Sequence, residues 1–390
     1  MTDAAIVQAR GRANYWPAIL AGMCATVVSN GLLRFAYGPI LPALVRENWL
    51  PEGQAGALGG INLLGYLAGA FVAGMAARRF GMRGALRLGM FLGLATLAAC
   101  AWNGGFAWFL LWRILAGFAG GILMVLAGPA VQAVVPAQRR GLAAGLVISG
   151  IGFGIMVGAV LVPLVLAWSG LPATWLGLAA TTALLAAIAW PIWPDVAPPP
   201  PASHPDSALP PAAIRMLARY TLAALAATAH LIFWPDYIAR GLGQGIDAGA
   251  FWWLVLGAGT CCGGILLGSL ADRIGAAHAI RVALAIQSLG VGIPLLAHNT
   301  AVLAVSSLCG GVTCVGLTVL AMVRARIFGA QAGARVWGLA TIVWGAAMAT
   351  GGFVMTSLLV ATGTHLSIFA LGLAASLASL ALEFTERVDS

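Results

Sequence analysis

Lysine is absent from this sequence, and charge of either sign is scarce. All 20 basic residues are arginine, against 11 acidic residues, and charged residues make up only 8% of the 390 positions. Soluble proteins carry about 25% charged residues, whereas here 61% of the residues are hydrophobic. The composition therefore excludes an ordinary soluble domain. It predicts an all-α, polytopic membrane protein surrounded by membrane lipid.

Several chemical motifs are also missing. The chain has no H-E-x-x-H, G-x-S-x-G or phosphate-binding loop, which argues against an enzyme and against a bound cofactor. The six cysteines lie in apolar runs without metal-ligand spacing to histidine, so we expect no metal site. The net charge of +9 comes from arginines in short loops, where they act as orientation signals. We therefore expect no nucleic-acid partner.

Long apolar runs divide the chain into spans. A membrane-spanning helix needs about 20 apolar residues, and counting such runs predicts twelve spans. They lie near residues 16–41, 55–77, 85–103, 107–133, 142–168, 172–193, 214–238, 250–271, 280–297, 301–323, 337–360 and 365–384. The predicted organisation is a six-helix bundle at 1–194, a cytoplasmic proline-rich linker at 195–213 and a second six-helix bundle at 214–390.

The arginines predict the orientation. If the N-terminus is cytoplasmic, sixteen arginines fall on the cytoplasmic side and two, Arg46 and Arg240, fall in outer loops. Positive loop charge marks the cytoplasmic side of a membrane protein. We therefore expect a multi-pass protein of the bacterial cytoplasmic (inner) membrane with both termini in the cytoplasm.

An internal repeat relates the two halves. A shift of 194 positions aligns Gly65 with Gly259, Gly69 with Gly263, Arg79 with Arg273, and Gly81 with Gly275. One offset that covers a span, its loop and the next span indicates two copies of one unit. Parallel repeats of this kind are typical of major facilitator superfamily halves.

The loop after the eighth span carries the strongest motif. It reads Gly268–Ser269–Leu270–Ala271–Asp272–Arg273–Ile274–Gly275 and resembles the signature loop G-x-L-A-D-R-x-G of the major facilitator superfamily. The first copy keeps Arg79 and Gly81 but has Arg78 where the aspartate belongs. The resemblance implies twelve helices in two pseudo-symmetric bundles, a monomer, and a conformational latch in which Asp272 contacts a neighbouring helix end. A plain basic tether is the alternative reading of this loop.

Two further stretches carry the resemblance. Arg113 and Gly117 fit an R-x-x-x-G element of the fourth span, whose arginine faces the central cavity in the family; a structural arginine between helices is the alternative. The sequence R-F-A-Y-G-P-I-L-P at 34–42 resembles YbfB/YjiJ-type transporters. In this superfamily spans 1, 4, 7 and 10 line the cavity. Polar and aromatic candidates for the lining on spans 2, 10 and 11 are Asn62, Tyr66, Ser306, Ser307, Thr313, Thr318, Thr341 and Trp344.

Arg34 is the residue that most needs an explanation, because a charge at mid-bilayer is unfavourable by roughly 2.5–3.5 kcal/mol. With Asn30 and Tyr37 it follows i, i+4, i+7 spacing, which predicts one helix face. The seventh span offers a similar stripe. We predict a substrate site formed by Asn30, Arg34, Tyr37, Arg113, His230, Trp234 and Tyr237.

The acidic residues suggest the sign of the substrate. None lies deep in a predicted span, and Asp236 is the nearest candidate partner for Arg34 and Arg113. Arginine binds carboxylate with a planar pair of donors. The sequence therefore predicts a secondary active transporter, symporter or antiporter, that moves a small organic anion by alternating access. His230 and Asp236 are the coupling candidates.

Three alternatives remain at this stage. Proton-driven efflux of amphipathic drugs fits the cavity aromatics but normally needs a membrane-embedded acid. A non-transporting sensor would be expected to have a larger loop or a soluble domain. Arg34 either meets substrate directly or only fixes the first helix to its neighbours.

Overall fold

A computed structural model describes residues 15–136, 139–198, 209–328 and 330–384. Residues 199–208 of the predicted linker and both chain ends, 1–14 and 385–390, lie outside the described residues. The described residues form helices and connecting turns without any strand. Ten helices are long and apolar enough to cross a membrane.

Two of these helices are too long to be single spans. Glu52–Ala99 has 48 residues and Arg140–Ala189 has 50, whereas about 20 residues cross the hydrocarbon core. Each is broken at a glycine with non-helical backbone angles, Gly81 (φ 74°) and Gly170 (φ 73°). Dividing both helices at these glycines gives the twelve segments that the apolar runs predict.

We number the segments in chain order. In the first half they are α1 (Trp16–Arg46), α2 (52–80), α3 (82–99), α4 (Gly105–Gln132), α5 (140–169) and α6 (171–189). In the second half they are α7 (Pro211–Gly241), α8 (Ile246–Ile274), α9 (Ala276–Gly292), α10 (Thr300–Ala325), α11 (Ala330–Thr362) and α12 (Leu366–Phe384). Short 3₁₀ turns follow α9 and α10, at Ile293–Leu295 and Arg326–Phe328.

One boundary differs from the expectation. The linker was expected to run to residue 213, but α7 begins at Pro211. Proline suits the first turn of a helix, because the N–H that it lacks has no partner there. The proline run that signals a linker thus also supplies the start of the next helix.

The repeat is visible in the helix packing. A Cβ atom on Gly65 or Gly69 of α2 would overlap the backbone of Ile114 or Phe118 on α4. A Cβ atom on Gly263 of α8 would likewise overlap the backbone of Val312 on α10, and one on Gly259 would come within 3.0 Å of the Leu308 carbonyl. All four pairs of corresponding positions differ by the 194-residue offset. Small residues allow helices to approach closely in lipid, so the repeated glycines explain the repeated contact.

The two halves meet along three helix pairs. The pairs are α1 with α7, α2 with α11, and α5 with α8. Glycines again permit close approach: Gly60 faces the backbone of Ala349 and Gly352, and Gly152 faces that of Gly257. These contacts place a cleft between the halves, with α1, α2 and α7 around it.

Candidate functional site

The helix that carries Arg34 is not regular. Val27–Phe35 is a nine-residue π-helix within α1, and the N–H of Ala36 donates to the carbonyl of Gly31 at 2.8 Å. The expected stripe is therefore not a regular α-helical face, because the wider π turn rotates Tyr37 relative to Asn30. Arg34 and Tyr37 nevertheless both line the cleft. Asn30 and Arg34 stay in contact, with 3.2 Å between Arg34 Nη1 and Asn30 Oδ1. π-Segments of this kind are rare and frequent at functional sites.

Arg34 lies half-buried at the cleft between the halves. Its Nη2 is 2.7 Å from the thioether sulfur of Met348 on α11. Its guanidinium carbon is 4.7 Å from the ring centre of Phe35 and 5.7 Å from that of Tyr66. The rest of the cleft lining is Tyr37, Gly38, Gly59, Leu63, Leu231 and Ile232. No described carboxylate pairs with Arg34.

Arg113 is held inside the first half. It is only 1% exposed, its Nη1 donates to the carbonyl of Leu33 at 2.9 Å, and its guanidinium lies 4.4 Å from the ring centre of Tyr37. Its Nε has no partner among the described residues. The ring of Tyr37, whose hydroxyl donates to the carbonyl of Ala55 at 2.7 Å, thus contacts both Arg113 and the cleft.

The predicted stripe on α7 packs inside the second half. His230 Nε2 is 2.9 Å from Ser306 Oγ, and Trp234 Nε1 donates to Ser307 Oγ at 2.9 Å. Tyr237 Oη is 3.0 Å from His298 Nδ1. The side chains that α7 presents to the cleft are instead Leu231 and Ile232. Helical spacing predicted the stripe, but it could not tell the cleft face from the face that packs on α10.

The hydrogen bonds of Ser306 show which ring nitrogen of His230 carries a proton. The Ser306 hydroxyl donates to the carbonyl of Gly290 at 2.6 Å, so its oxygen is left to accept from His230 Nε2–H. His230 Nε2 therefore carries a proton. The centre of its ring lies 4.9 Å from that of Trp234 and 6.0 Å from that of Phe369. No described carboxylate contacts it. This surrounding fits a structural histidine.

Asp236 has a different set of partners from those expected. Its side chain is 0% exposed, and both of its oxygens accept from the Nε and Nη2 of Arg240, one turn further along. Asp236 Oδ2 also lies 2.7 Å from His365 Nε2. The expectation that Asp236 is the nearest partner of Arg34 or Arg113 is therefore wrong. The i, i+4 spacing of Asp236 and Arg240 was a signal that could have shown this.

Arg240 also joins the two halves. Its Nη1 is 2.9 Å from Glu52 Oε1 at the start of α2. Among the ion pairs formed by described residues, this one connects the two halves. We call Glu52, Asp236, Arg240 and His365 the far-side cluster, because they lie on the side of the membrane opposite Tyr15 and Phe384.

Glu383 is a second buried acid, at the end of α12. Only 2% of it is exposed, and its carboxylate lies 2.9 Å from the guanidinium groups of both Arg219 and Arg324. Like Asp236, it lies at the end of its helix and not deep in the span. The two buried acids are both paired with arginines other than Arg34 and Arg113.

The predicted latch lies on the side of the chain ends. Asp272 and Arg273 are exposed and form no ion pair with a described residue. Gly81 (φ 74°) and Gly275 (φ 82°) hold matching turns in the two repeats, where only glycine adopts a positive φ without strain. Arg79 lies 5.7 Å from the Phe80 ring centre, and Gly268 contacts Val319.

The comparisons with known proteins agree with this architecture. Residues 26–385 match the family model described as "Uncharacterised MFS-type transporter YbfB". The chain belongs to this family. A comparison with curated proteins found no match. A crystal structure of a D-xylose-proton symporter superposes with a TM-score of 0.66 at 16% identity, covering 94% of this chain and 96% of that one. At this identity the likeness shows the fold alone.

The family assignment confirms the resemblance drawn from the signature loop and from residues 34–42. Among the described residues the helical architecture fits a multi-pass membrane transporter with a small-molecule substrate. Tyr66 was among the cavity residues expected from α2. His365, Glu52 and Met348 were missed, because a polar loop residue, a helix-start acid and an apolar thioether carry no motif.

Proposed function

We propose that this protein is a secondary active transporter that moves a small organic anion by alternating access, with the anion bound at Arg34. The observation that carries this proposal is the charge on Arg34 at the cleft between the halves, without a described carboxylate beside it. Arg219, Arg240 and Arg324 each pair with an acid. A charge within the membrane needs a partner, and an anionic substrate would supply it.

Arg113 takes a supporting role in this proposal. Its guanidinium donates to the Leu33 carbonyl and stacks on the Tyr37 ring. It therefore acts on a ligand in the cleft only through its electrostatic field. A second buried positive charge next to α1 raises the attraction for an anion at Arg34. It also fixes the end of the π segment by holding the carbonyl of Leu33.

The far-side cluster and the latch support alternating access. The ion pair between Glu52 and Arg240 joins the halves on the far side, while Asp272 is exposed and without an ion-pair partner among the described residues. We assign this conformation to a state that is closed on the far side. In the proposed cycle the bundles 1–194 and 214–390 move as bodies, and the far-side ion pair breaks when the far side opens.

For coupling, we propose that the Asp236–His365 pair carries the proton. With His365 neutral, the carboxylates of Glu52 and Asp236 face the single guanidinium of Arg240; a proton on His365 balances the charge. The other groups facing His365 are the Tyr237 ring, 5.9 Å away, and beyond it His298, bonded to the Tyr237 hydroxyl. The ring of His230 lacks such a carboxylate partner, which makes it the weaker of the two coupling candidates.

The arginine bias supports a place for the transporter in the bacterial cytoplasmic membrane, with both termini in the cytoplasm. In that orientation the far side is the outer side, and the proposed state is closed toward the outside. We expect a monomer, in which one chain forms the complete cleft.

Uptake into proteoliposomes tests the proposal. The wild type, Arg34→Gln and Arg46→Gln would be assayed with a panel of labelled organic anions. Arg46 lies at the far end of the same helix with 59% of its side chain exposed, so its variant controls for the loss of one arginine. We expect anion uptake by the wild type and by Arg46→Gln, and loss of uptake in Arg34→Gln. Unchanged uptake in Arg34→Gln would refute the role of Arg34.

A further inference from the structure

The groups around Arg34 leave hydrogen-bond donors unused. A guanidinium has five N–H donors, and the structure gives Arg34 two side-chain acceptors, Asn30 Oδ1 and Met348 Sδ. A thioether is a weak acceptor, whereas bonds from arginine to an anionic oxygen are roughly twice as strong as neutral ones. An anion entering the cleft would therefore displace the sulfur of Met348.

Tyr66 adds a second unused donor. It is 6% exposed, its ring centre lies 5.7 Å from the guanidinium carbon of Arg34, and its hydroxyl forms no hydrogen bond with a described residue. This hydroxyl can therefore donate to a ligand without giving up a hydrogen bond to another described residue. Arg34 on α1 offers two N–H donors, and Tyr66 on α2 offers one O–H donor. This set suits the two oxygens of a single carboxylate.

The charge that a ligand can reach is one positive unit. Arg113 is buried beneath the Tyr37 ring, and Arg240 is paired with two acids in the far-side cluster. A second anionic group on the ligand would therefore enter an apolar wall without a counter-charge, which is unfavourable. The site thus favours a monoanion over a dianion.

The remaining walls are apolar and aromatic. Leu63, Leu231 and Ile232 line the cleft. The ring of Tyr37 is the aromatic part of this lining. Pockets with predominantly apolar and aromatic walls bind ligands with an apolar body, and a few polar groups fix the orientation.

We propose that the substrate is a monocarboxylate with an aromatic or branched apolar body. Its carboxylate replaces Met348 Sδ on Arg34 and accepts from the Tyr66 hydroxyl. Its body lies against Leu63, Leu231 and Ile232 once the halves separate, because the cleft in this conformation has a volume of about 10 Å³. This inference rests on the proposed anion transport and narrows it from any small organic anion to one chemical class.

Ligand binding to the purified full chain, followed by thermal shift and calorimetry, tests the class. Four probes separate its elements: benzoate, benzamide (similar in shape but uncharged), acetate (charged but without the body) and succinate (a dianion). We expect benzoate to bind at least about tenfold more tightly than benzamide, since one bond to a charged group is worth that factor. It should also bind more tightly than acetate, which lacks the apolar body, and than succinate, whose second carboxylate has no counter-charge.

Two variants test the residues. Tyr66→Phe should weaken benzoate binding about tenfold, whereas Tyr15→Phe, outside the cleft, should leave it unchanged. Met348→Leu, which removes the competing thioether at similar volume, should keep or raise benzoate affinity. A loss of binding in Met348→Leu would contradict displacement of the sulfur.

The outcomes separate this inference from the proposed function. If succinate binds as tightly as benzoate and Arg34→Gln abolishes both, the substrate class is wrong while anion binding at Arg34 stands. If benzoate does not bind, the class is also overturned. If anions bind equally to the wild type and to Arg34→Gln, the proposed function fails as well.

Discussion

Replacing residues of the far-side cluster should separate folding of the second half from closure of the far side. Asp236 holds Arg240 and His365 within one half, whereas Glu52 holds Arg240 across the two halves. Asp236→Asn should therefore lower stability, because it leaves a guanidinium without its main partner. Glu52→Gln should leave the fold intact and weaken closure of the far side.

The structure sets the size of each effect. Asp236 is 0% exposed and Arg240 is 24% exposed, and breaking a buried ion pair by removing one partner destabilises by about 3–5 kcal/mol. We expect the lower end, about 3 kcal/mol, because Arg240 retains Glu52 and some contact with water. The pair between Glu52 (40% exposed) and Arg240 is nearer the surface, where pairs contribute about 0.2–1 kcal/mol. Loss of about 1 kcal/mol, the upper end of that range, would lower the ratio of the closed to the open state about fivefold.

Two measurements separate these effects. Thermal unfolding in detergent reports the stability of each variant against the wild type. Spin labels at Asn103 and Gln244, both exposed on the far side and one in each half, report the opening by their distance distribution, in a background without the native cysteines. We expect Glu52→Gln to add a longer distance without a large change in melting temperature.

The reasoning would be refuted if Glu52→Gln left the distance distribution unchanged while lowering the melting temperature as much as Asp236→Asn. In that case the Glu52–Arg240 pair would contribute to folding and not to closure.

The remaining predictions concern helix packing and coupling. Gly65→Ala and Gly263→Ala should each destabilise by about 1–3 kcal/mol, since their Cβ atoms overlap a neighbouring backbone. Gly128→Ala, which meets open space, should be neutral or stabilising; thermal unfolding checks all three. His365→Gln should remove the pH dependence of transport, while His230→Gln should lower the melting temperature and leave the pH profile unchanged. An altered pH profile in His230→Gln alone would reverse the assignment of the coupling residue.

Much of the fold could be predicted because lipid imposes simple rules. Apolar length predicted the spans, and the offset between Gly65 and Gly259 predicted matching helix contacts that the structure contains. The signature loop predicted the family, which the family model confirms. The division of Glu52–Ala99 at Gly81 was also foreseeable, because a 48-residue helix exceeds the membrane thickness.

The site was less predictable, because it depends on how helices rotate against each other. The π segment at Val27–Phe35 changes the helical period between Asn30 and Tyr37, and no sequence pattern predicts it. The stripe on α7 turns toward α10, since Ser306 and Ser307 satisfy His230 and Trp234 there. Spacing shows that residues share a face, but the packing partners decide which way that face points.

Pairings between distant residues were the hardest to foresee. His365 reaches Asp236 from the turn between α11 and α12, and Glu52 reaches Arg240 from the other half of the chain. Neither contact follows from local spacing, because both depend on how the helix ends meet in three dimensions.

The kcat/KM for uptake of an organic monoanion by Arg34→Gln, relative to Arg46→Gln, tests the central claim most directly. Removing one partner of a desolvated charge pair costs about 2–5 kcal/mol, so we predict a loss of at least about 30-fold at Arg34. The same substitution at the exposed Arg46 should change kcat/KM by less than about threefold. Equal values for the two variants would contradict anion binding at Arg34.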